Sequence, residues 1–257
     1  MIIDAHTHID QYKEKDLEQA IEEINQNKIL TIANSTDVQS YLKNKETALK
    51  SPYVVPTFGI HPWKAKGRNK DLERLIPYIE ETPMIGEIGL DFFWVEDKTS
   101  FEDQLNVFEF FLSKAAKLDK VVNIHTKGAE DEVLKLLDKY SLNRVIIHWY
   151  SGPKDTLLKL INKGYYFTIS TELFYSNIIK EIANSIPRDK ILVETDGPEA
   201  EEWLSGNIGM PILIKKVVEE LAKIKGINIS CFEEQLEYNF KNLVGKELWE
   251  MISTKTI

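Results

Sequence analysis

The sequence predicts an α/β fold, and within that class one closed (β/α)8 barrel spanning residues 1–257. Three observations point to it. Eight short apolar runs alternate with helical stretches along the chain, the pattern of parallel strands buried on both faces. All five histidines lie at or just past the end of such a run, where a barrel gathers its functional side chains. An open doubly wound sheet, the competing architecture, calls for a glycine-rich phosphate loop after its first strand, and the stretch DAHTHID holds no glycine.

Taken in order, the strand candidates are residues 2–6, 29–33, 54–59, 84–88, 121–125, 144–148, 166–170 and 191–194. Helical stretches at 17–27, 38–49, 71–81, 101–118, 129–140, 156–162 and 177–185 separate them, and 212–224 and 231–252 close the chain. Ser100 with Asp103, and Ser230 with Glu233, have the spacing of helix-starting capping boxes. Gly164 and Gly226 are placed to stop helices. The longest expected loop, 197–211, follows the last strand and would cover the barrel's mouth. No linker, low-complexity tract or internal repeat divides the chain.

With 43% hydrophobic residues the chain is long enough for one large core. Its single cysteine, Cys231, excludes an internal disulfide and a cysteine-based zinc cluster and fits a reducing compartment. Cys231 lies in SCFEEQLEYNF, read as the first turn of a surface helix, and is taken as structural. The chain opens directly into a strand, and no stretch is long enough to span a membrane, so a cytoplasmic protein with no membrane partner is expected. A net charge of -9 disfavours generic coating of a nucleic-acid backbone. It does not disfavour an enzyme that holds phosphates through bound cations, because part of the acidic excess then serves the metal.

The chemistry is concentrated at the strand ends. His6 and His8 are two residues apart on one strand, so both imidazoles face the same side and can serve one ion. Asp4 is one step deeper on that face, placed to orient a histidine. Glu87, in GEIGLD, is a carboxylate in a buried strand, which is costly unless paired or coordinated. Gly86 and Gly89 beside it let another group approach, and its two oxygens can bridge two cations. His125 and His148 end the fifth and sixth strands and form a second ligand set with Glu87. Asp196 ends the eighth strand, which brings it beside His6 and His8 when the barrel closes, and Glu194 below it is taken as structural. His61, in GIHPW, is read as a substrate contact or as a residue supporting the ligands from behind, against the plainer reading of a loop histidine packed on Trp63. Asp91 is expected on an exposed loop, as a substrate contact or a simple turn residue.

These residues, in this order, resemble the TatD family of metal-dependent deoxyribonucleases, within the amidohydrolase-like barrels. The motifs DAHTHID, GIHP, GEIGLD, the NIH strand end, HWYSG and ETDGP carry the resemblance, from residue 2 to about 245. It implies a TIM barrel, two divalent ions and hydrolysis of DNA phosphodiesters from the 3′ end. Carried over by motif, His6, His8, Glu87 and Asp196 would bind one ion, and Glu87, His125 and His148 the other. The chain departs from the family at Lys127, where an arginine is usual, at Gly197 in place of alanine, and at Trp149 in place of a smaller residue. These departures bear on substrate grip.

The expected mechanism is two-metal activation of water, with Glu87 and Asp196 as the catalytic carboxylates and Asp196 accepting the water's proton. His61, Lys127 and Asp91 are the candidate substrate contacts. Mixed imidazole and carboxylate ligands suit Mg²⁺, Mn²⁺ or Zn²⁺. The expected partner is DNA or another phosphoester, and a monomer is compatible with all of this. Two rivals stand beside it: a metal hydrolase of a small amide, lactone or phosphoester, and a non-enzymatic partner-binding barrel. The complete ligand set argues against the second.

Overall fold

The fold was obtained as a computed structural model, which describes residues 1–68 and 71–253. Eight parallel strands run in chain order: β1 Ile3–Thr7, β2 Leu30–Asn34, β3 Val54–Thr57, β4 Ile85–Asp91, β5 Val122–Lys127, β6 Val145–Ile147, β7 Tyr166–Ile169 and β8 Ile191–Val193. The helices between them are α1 Glu14–Asn27, α2 Val38–Ala48, α3 Ile76–Glu81, α4 Phe101–Leu118, α5 Glu130–Lys139, α6 Lys154–Asn162 and α7 Asn177–Ser185. After β8 come α8 Glu199–Ser205, α9 Leu213–Lys225 and α10 Ile229–Ser253.

The strands pair in the order β1-β2-β3 and β4-β5-β6-β7-β8, and two seams close them into the barrel. At the first seam Phe58 bridges Ile85, and Gly86 N–H donates to the Phe58 carbonyl at 3.0 Å. At the second, Asp196 N–H donates to the His6 carbonyl at 3.0 Å and His8 N–H to the Gly197 carbonyl at 2.8 Å. The backbones of three expected ligand residues therefore close the ring. Register matters on the β4–β5 pair, where Gly89 lies opposite His125 and Asp91 opposite Lys127.

Burial explains the pattern of apolar runs. At the strand starts, Ile3, Leu30, Val55, Met84, Val121, Ile146, Tyr166 and Leu192 form one buried cluster, covered by Phe240, Leu243 and Val244 of α10. On the outside, α4 buries Gln104, Val107, Phe108, Phe111, Leu112 and Ala115, one stripe at helical spacing, within the larger core. With that end filled, polar chemistry is left to the C-terminal ends of the strands.

Several local expectations change. The stretch 197–211, expected as a loop, contains α8. Pro198 precedes it, glutamates fill its first turn and Gly206 ends it at φ 80°, signals that the surrounding Gly and Pro residues obscured. The helix expected at 71–81 is a 3₁₀ turn, Leu72–Leu75, followed by α3, with Pro77 in the first turn of α3. The final helix breaks at Gly245, at φ 75°. Neither capping box forms. Ser100 Oγ donates back to the Asp97 carbonyl at 2.8 Å, and Asn228 Oδ1 accepts Ser230 N–H at 3.0 Å. Gly164 and Gly226 do stop helices, at φ 80° and 63°. Cys231 is exposed near the start of α10. No helix among the described residues is long and apolar enough to cross a membrane.

Candidate metal centre

Glu87, 1% exposed in β4, is the middle of the site. Its two oxygens face two different groups of nitrogens. Oε2 lies 3.1 Å from His8 Nε2 and 3.4 Å from His6 Nε2. Oε1 lies 2.9 Å from His125 Nδ1, 2.9 Å from His148 Nε2 and 3.4 Å from His61 Nε2. Asp196 Oδ1 completes the first group, 3.6 Å from His6 Nε2 and 3.5 Å from His8 Nε2. Ligand atoms about 2.1 Å from a shared ion stand roughly 3.0–3.4 Å from one another in octahedral or tetrahedral geometry. Both groups have close to that spacing.

The far side of each imidazole decides which nitrogen is free. His6 Nδ1 meets Asn123 Oδ1 at 3.0 Å, and Asn123 is itself fixed by donating to the Ala5 carbonyl. His8 Nδ1 meets the Asn34 carbonyl at 3.1 Å. His125 Nε2 meets Asp91 Oδ2 at 3.1 Å, and His148 Nδ1 faces Glu194 Oε2 at 3.5 Å. Each outer partner is an oxygen acceptor, so each outer nitrogen carries the proton and the inner nitrogen presents a lone pair. Four lone pairs therefore converge on a carboxylate, an arrangement that a cation between them reconciles. Without a cation, protons take its place. Burial works to lower the pKa of His148 and His8, but the neighbouring carboxylates, Glu87 foremost, outweigh it and push them up to about 10 and about 9. Burial likewise works to raise the pKa of Glu87, and the surrounding histidines hold it well below the carboxylate range.

His61 is turned the other way. Its Nδ1 accepts the Trp63 backbone N–H at 3.2 Å, so the neutral ring carries its proton on Nε2, the atom that faces Glu87. Burial holds the ring neutral, with its pKa lowered to about 4. A nitrogen that keeps its proton donates a hydrogen bond and does not ligate. The geometry thus sets His61 apart from the other four.

The backbone carries strain at this end. Trp149 and Asp196, neither of them glycine, sit at φ 38° and 47°. Trp149 is pinned from several sides: its N–H donates to Glu194 Oε1 at 3.1 Å, its indole N–H donates to Glu172, and Lys127 Nζ donates to its carbonyl at 2.7 Å.

Residues 3–245 match the family model described as TatD related DNase. The chain belongs to the TatD family. Among similar proteins, an uncharacterised metal-dependent hydrolase of Methanocaldococcus jannaschii is 29% identical, covering 93% of this chain and 94% of its own length. An uncharacterised metal-dependent hydrolase of Escherichia coli K12, YcfH, is 24% identical, covering 94% of this chain and 95% of its own. Among solved structures, the TatD homologue YjjV of Escherichia coli K12 superposes with a TM-score of 0.85 at 22% identity, over 94% of this chain and 97% of that one. The phosphotriesterase homology protein of Escherichia coli, solved with phosphate in its active site, gives a TM-score of 0.71 at 14% identity, over 95% of this chain and 98% of that one. These solved structures confirm the barrel.

In this TatD-family chain the expected ligands His6, His8, Glu87, His125, His148 and Asp196 come together, and the buried histidine and carboxylate clusters suit a divalent cation. Two expectations change. Asp91 ends β4 and is fully buried. Its Oδ1 takes the backbone N–H groups of Phe93 and Trp94, and its Oδ2 faces Trp63 Nε1 at 2.7 Å and His125 Nε2. Burial would raise its pKa, but the contacts with His125 and Trp63 bring it down to about 2. With both oxygens committed, it positions His125 and has no oxygen left for a substrate. Asp4 does not orient a histidine: it accepts Thr195 N–H at 3.0 Å and Thr195 Oγ1–H at 2.6 Å and ties β1 to β8 below Asp196. Burial pushes its pKa up to about 7, the Thr195 hydrogen bonds opposing the shift. Lys127 lines the cleft, with Nζ on the Trp149 carbonyl and on Ser151 Oγ at 2.8 Å.

Asn123, which fixes His6, stands in the NIH motif, but the motif assigned it no role. The signal was a lone polar residue inside the apolar run VVNIH. Glu194, taken as structural, stands behind His148 as an orienting carboxylate.

Proposed function

We propose that this protein is a two-metal phosphodiesterase that hydrolyses DNA from a 3′ end and prefers single strands. The observation that carries the reading is the division of Glu87: one oxygen belongs to the His6, His8 and Asp196 group, the other to the His125 and His148 group. The first group would hold one divalent ion and the second another, with Mg²⁺, Mn²⁺ and Zn²⁺ all suited to the donors. Bound ions of this kind acidify water and withdraw charge from a phosphoryl oxygen. The chain's own part is placement. Asp196, at the mouth, takes the proton released by the attacking water. His61 donates a hydrogen bond from its Nε2–H to a phosphate oxygen. Asn123, Asp91 and Glu194 hold the ligand rings in register. The single exposed thiol of Cys231 fits a reducing compartment, the cytoplasm.

A 5′-labelled single strand is expected to shorten as a ladder from its 3′ end, and a covalently closed circle to survive. Immediate release of internal fragments would overturn the end preference. The second reading, a small phosphoester substrate, draws on the acidic residues Asp10, Asp37, Glu130, Glu172 and Glu199 that line the same cleft and would repel a long polyanion. A protein that cleaves small phosphoesters and leaves the labelled strand intact would favour it.

Lys127 is expected to steady the substrate phosphate and to brace Trp149. Its charge stays close to the mouth, although burial lowers its pKa. Lys127→Ala should raise KM for DNA roughly 10–150-fold, the loss of one charge-assisted hydrogen bond, with metal content unchanged. Unchanged KM at every salt concentration would make Lys127 a purely structural brace.

A further inference from the structure

The mouth of the barrel opens into a cleft of about 1520 Å³ whose wall is unusual for a protein that meets a polyanion. Three lysines line it among the described residues, Lys43, Lys64 and Lys127, against several carboxylates. Lys127 is already bound to Trp149 and Ser151. What the wall offers in place of positive charge is aromatic surface. Trp63, Phe93, Trp94 and Trp203 all line the cleft, and their exposures of 47%, 68%, 63% and 63% are large for such rings.

Two of these rings form a pair. Trp63 and Trp203 stand 6.4 Å apart between ring centroids, inclined by 30°. A flat ring in van der Waals contact with two others needs about 7 Å between them, so a base enters as Trp203 shifts outward by roughly 0.6 Å. Trp63 is also rigid: its indole N–H is held by Asp91 at 2.7 Å, and its ring meets the His61 imidazole edge-on at 5.0 Å. One member of the pair is thus fixed beside the catalytic group. The other, Trp203, is carried by α8, the short helix after β8.

Resting on the nucleic-acid reading above, the geometry points to Trp63 and Trp203 as a stacking clamp for an unpaired base next to the cleaved phosphate. Base-on-aromatic stacking tolerates any sequence because every base has a flat face, and it requires the base to be out of a duplex. It supplies affinity without neutralising phosphates. A cleft lined by three lysines among the described residues, Lys127 included, bounds the salt slope for single strands near about -2.1, from three contacts at about 0.7 each.

The test compares an ordinary single-stranded oligonucleotide with an abasic strand of the same length, which keeps the phosphodiesters and lacks the rings. Cleavage kinetics of the metal-loaded protein are measured on both, and binding of labelled strands is measured separately by anisotropy in a chelator-treated sample. The parent should bind and cleave the abasic strand with Kd and KM raised roughly 5–150-fold, the range for loss of one stacked base, and with kcat little changed. Trp203→Leu should raise KM and Kd for the ordinary strand toward the abasic values and leave the abasic strand unaffected, whereas Trp203→Phe should retain most of the parent's affinity. Trp203→Leu acting equally on both strands, or on neither, overturns the clamp. A parent that binds ordinary strands better than abasic ones but cleaves neither overturns the hydrolase reading and leaves the clamp standing.

Discussion

Glu87→Gln is expected to abolish most turnover while the barrel remains folded. The amide is nearly isosteric, so packing in β4 is kept. What is lost is the one negative charge shared by both nitrogen groups, and with it one oxygen acceptor. The amide nitrogen that replaces it brings two protons to a place where imidazole lone pairs converge. Changes one layer further out from a metal typically cost roughly 10–100-fold in affinity or activity, so a change in the bridging group should cost at least that. Metal analysis of the parent, titrated with Mn²⁺, should approach two tight ions per chain, and the variant should lose one or both. A well-folded variant with two ions and near-normal phosphodiesterase activity would remove Glu87 from the mechanism. Saturation of the parent at one ion, unaffected by the substitution, would sink the bridging role.

Gly89→Ala should damage the protein through its backbone. Gly89 sits at φ 150°, a conformation that L side chains rarely adopt, and a Cβ there would stand 2.0 Å from the His125 carbonyl oxygen. That oxygen belongs to the facing strand, so it cannot swing away as the tip of a side chain can. Relief requires β4 and β5 to separate at the level of His125, which costs hydrogen bonds of the ladder as well as steric strain. A penalty of roughly 3–5 kcal/mol is expected. For a chain of this size it should lower Tm by on the order of 10 °C. Thermal melts in chelator isolate the backbone effect from metal binding. A melt equal to the parent's would show that the strand pair yields more easily than its packing implies.

The architecture was legible because two periodicities, short apolar runs and longer amphipathic stretches, coincide over the whole chain. The candidate ligands were legible because a barrel places chemistry at strand ends, and His6, His8, His125 and His148 stand there in plain sequence. The supporting layer was harder to read. Asn123 and Glu194 lie inside apolar runs and declare themselves only through partners on other strands. Asp91 looked like a turn residue because it is followed by FFWVED, yet β4 runs on to it and buries it under Trp63. His61 could not be told from a ligand by position alone, and what separates it is one backbone N–H on its Nδ1. The pairing of Trp63 with Trp203 was not legible because the two are distant in sequence and α8 lay in a stretch read as a loop, bounded by Gly197-Pro198 and Pro211.

The seam between β1 and β8 has a consequence for the timing of activity in the cell. His6 and His8 belong to the first strand of the barrel and Asp196 follows the last, and the two backbone bonds that join these ends, Asp196 to His6 and His8 to Gly197, need both to be present. A ribosome delivers the N-terminal part first. Throughout elongation the emerging polypeptide therefore carries only part of this cluster and an open ring. The ring, and with it the cluster of His6, His8 and Asp196 around Glu87, is completed only once β8 has left the exit tunnel.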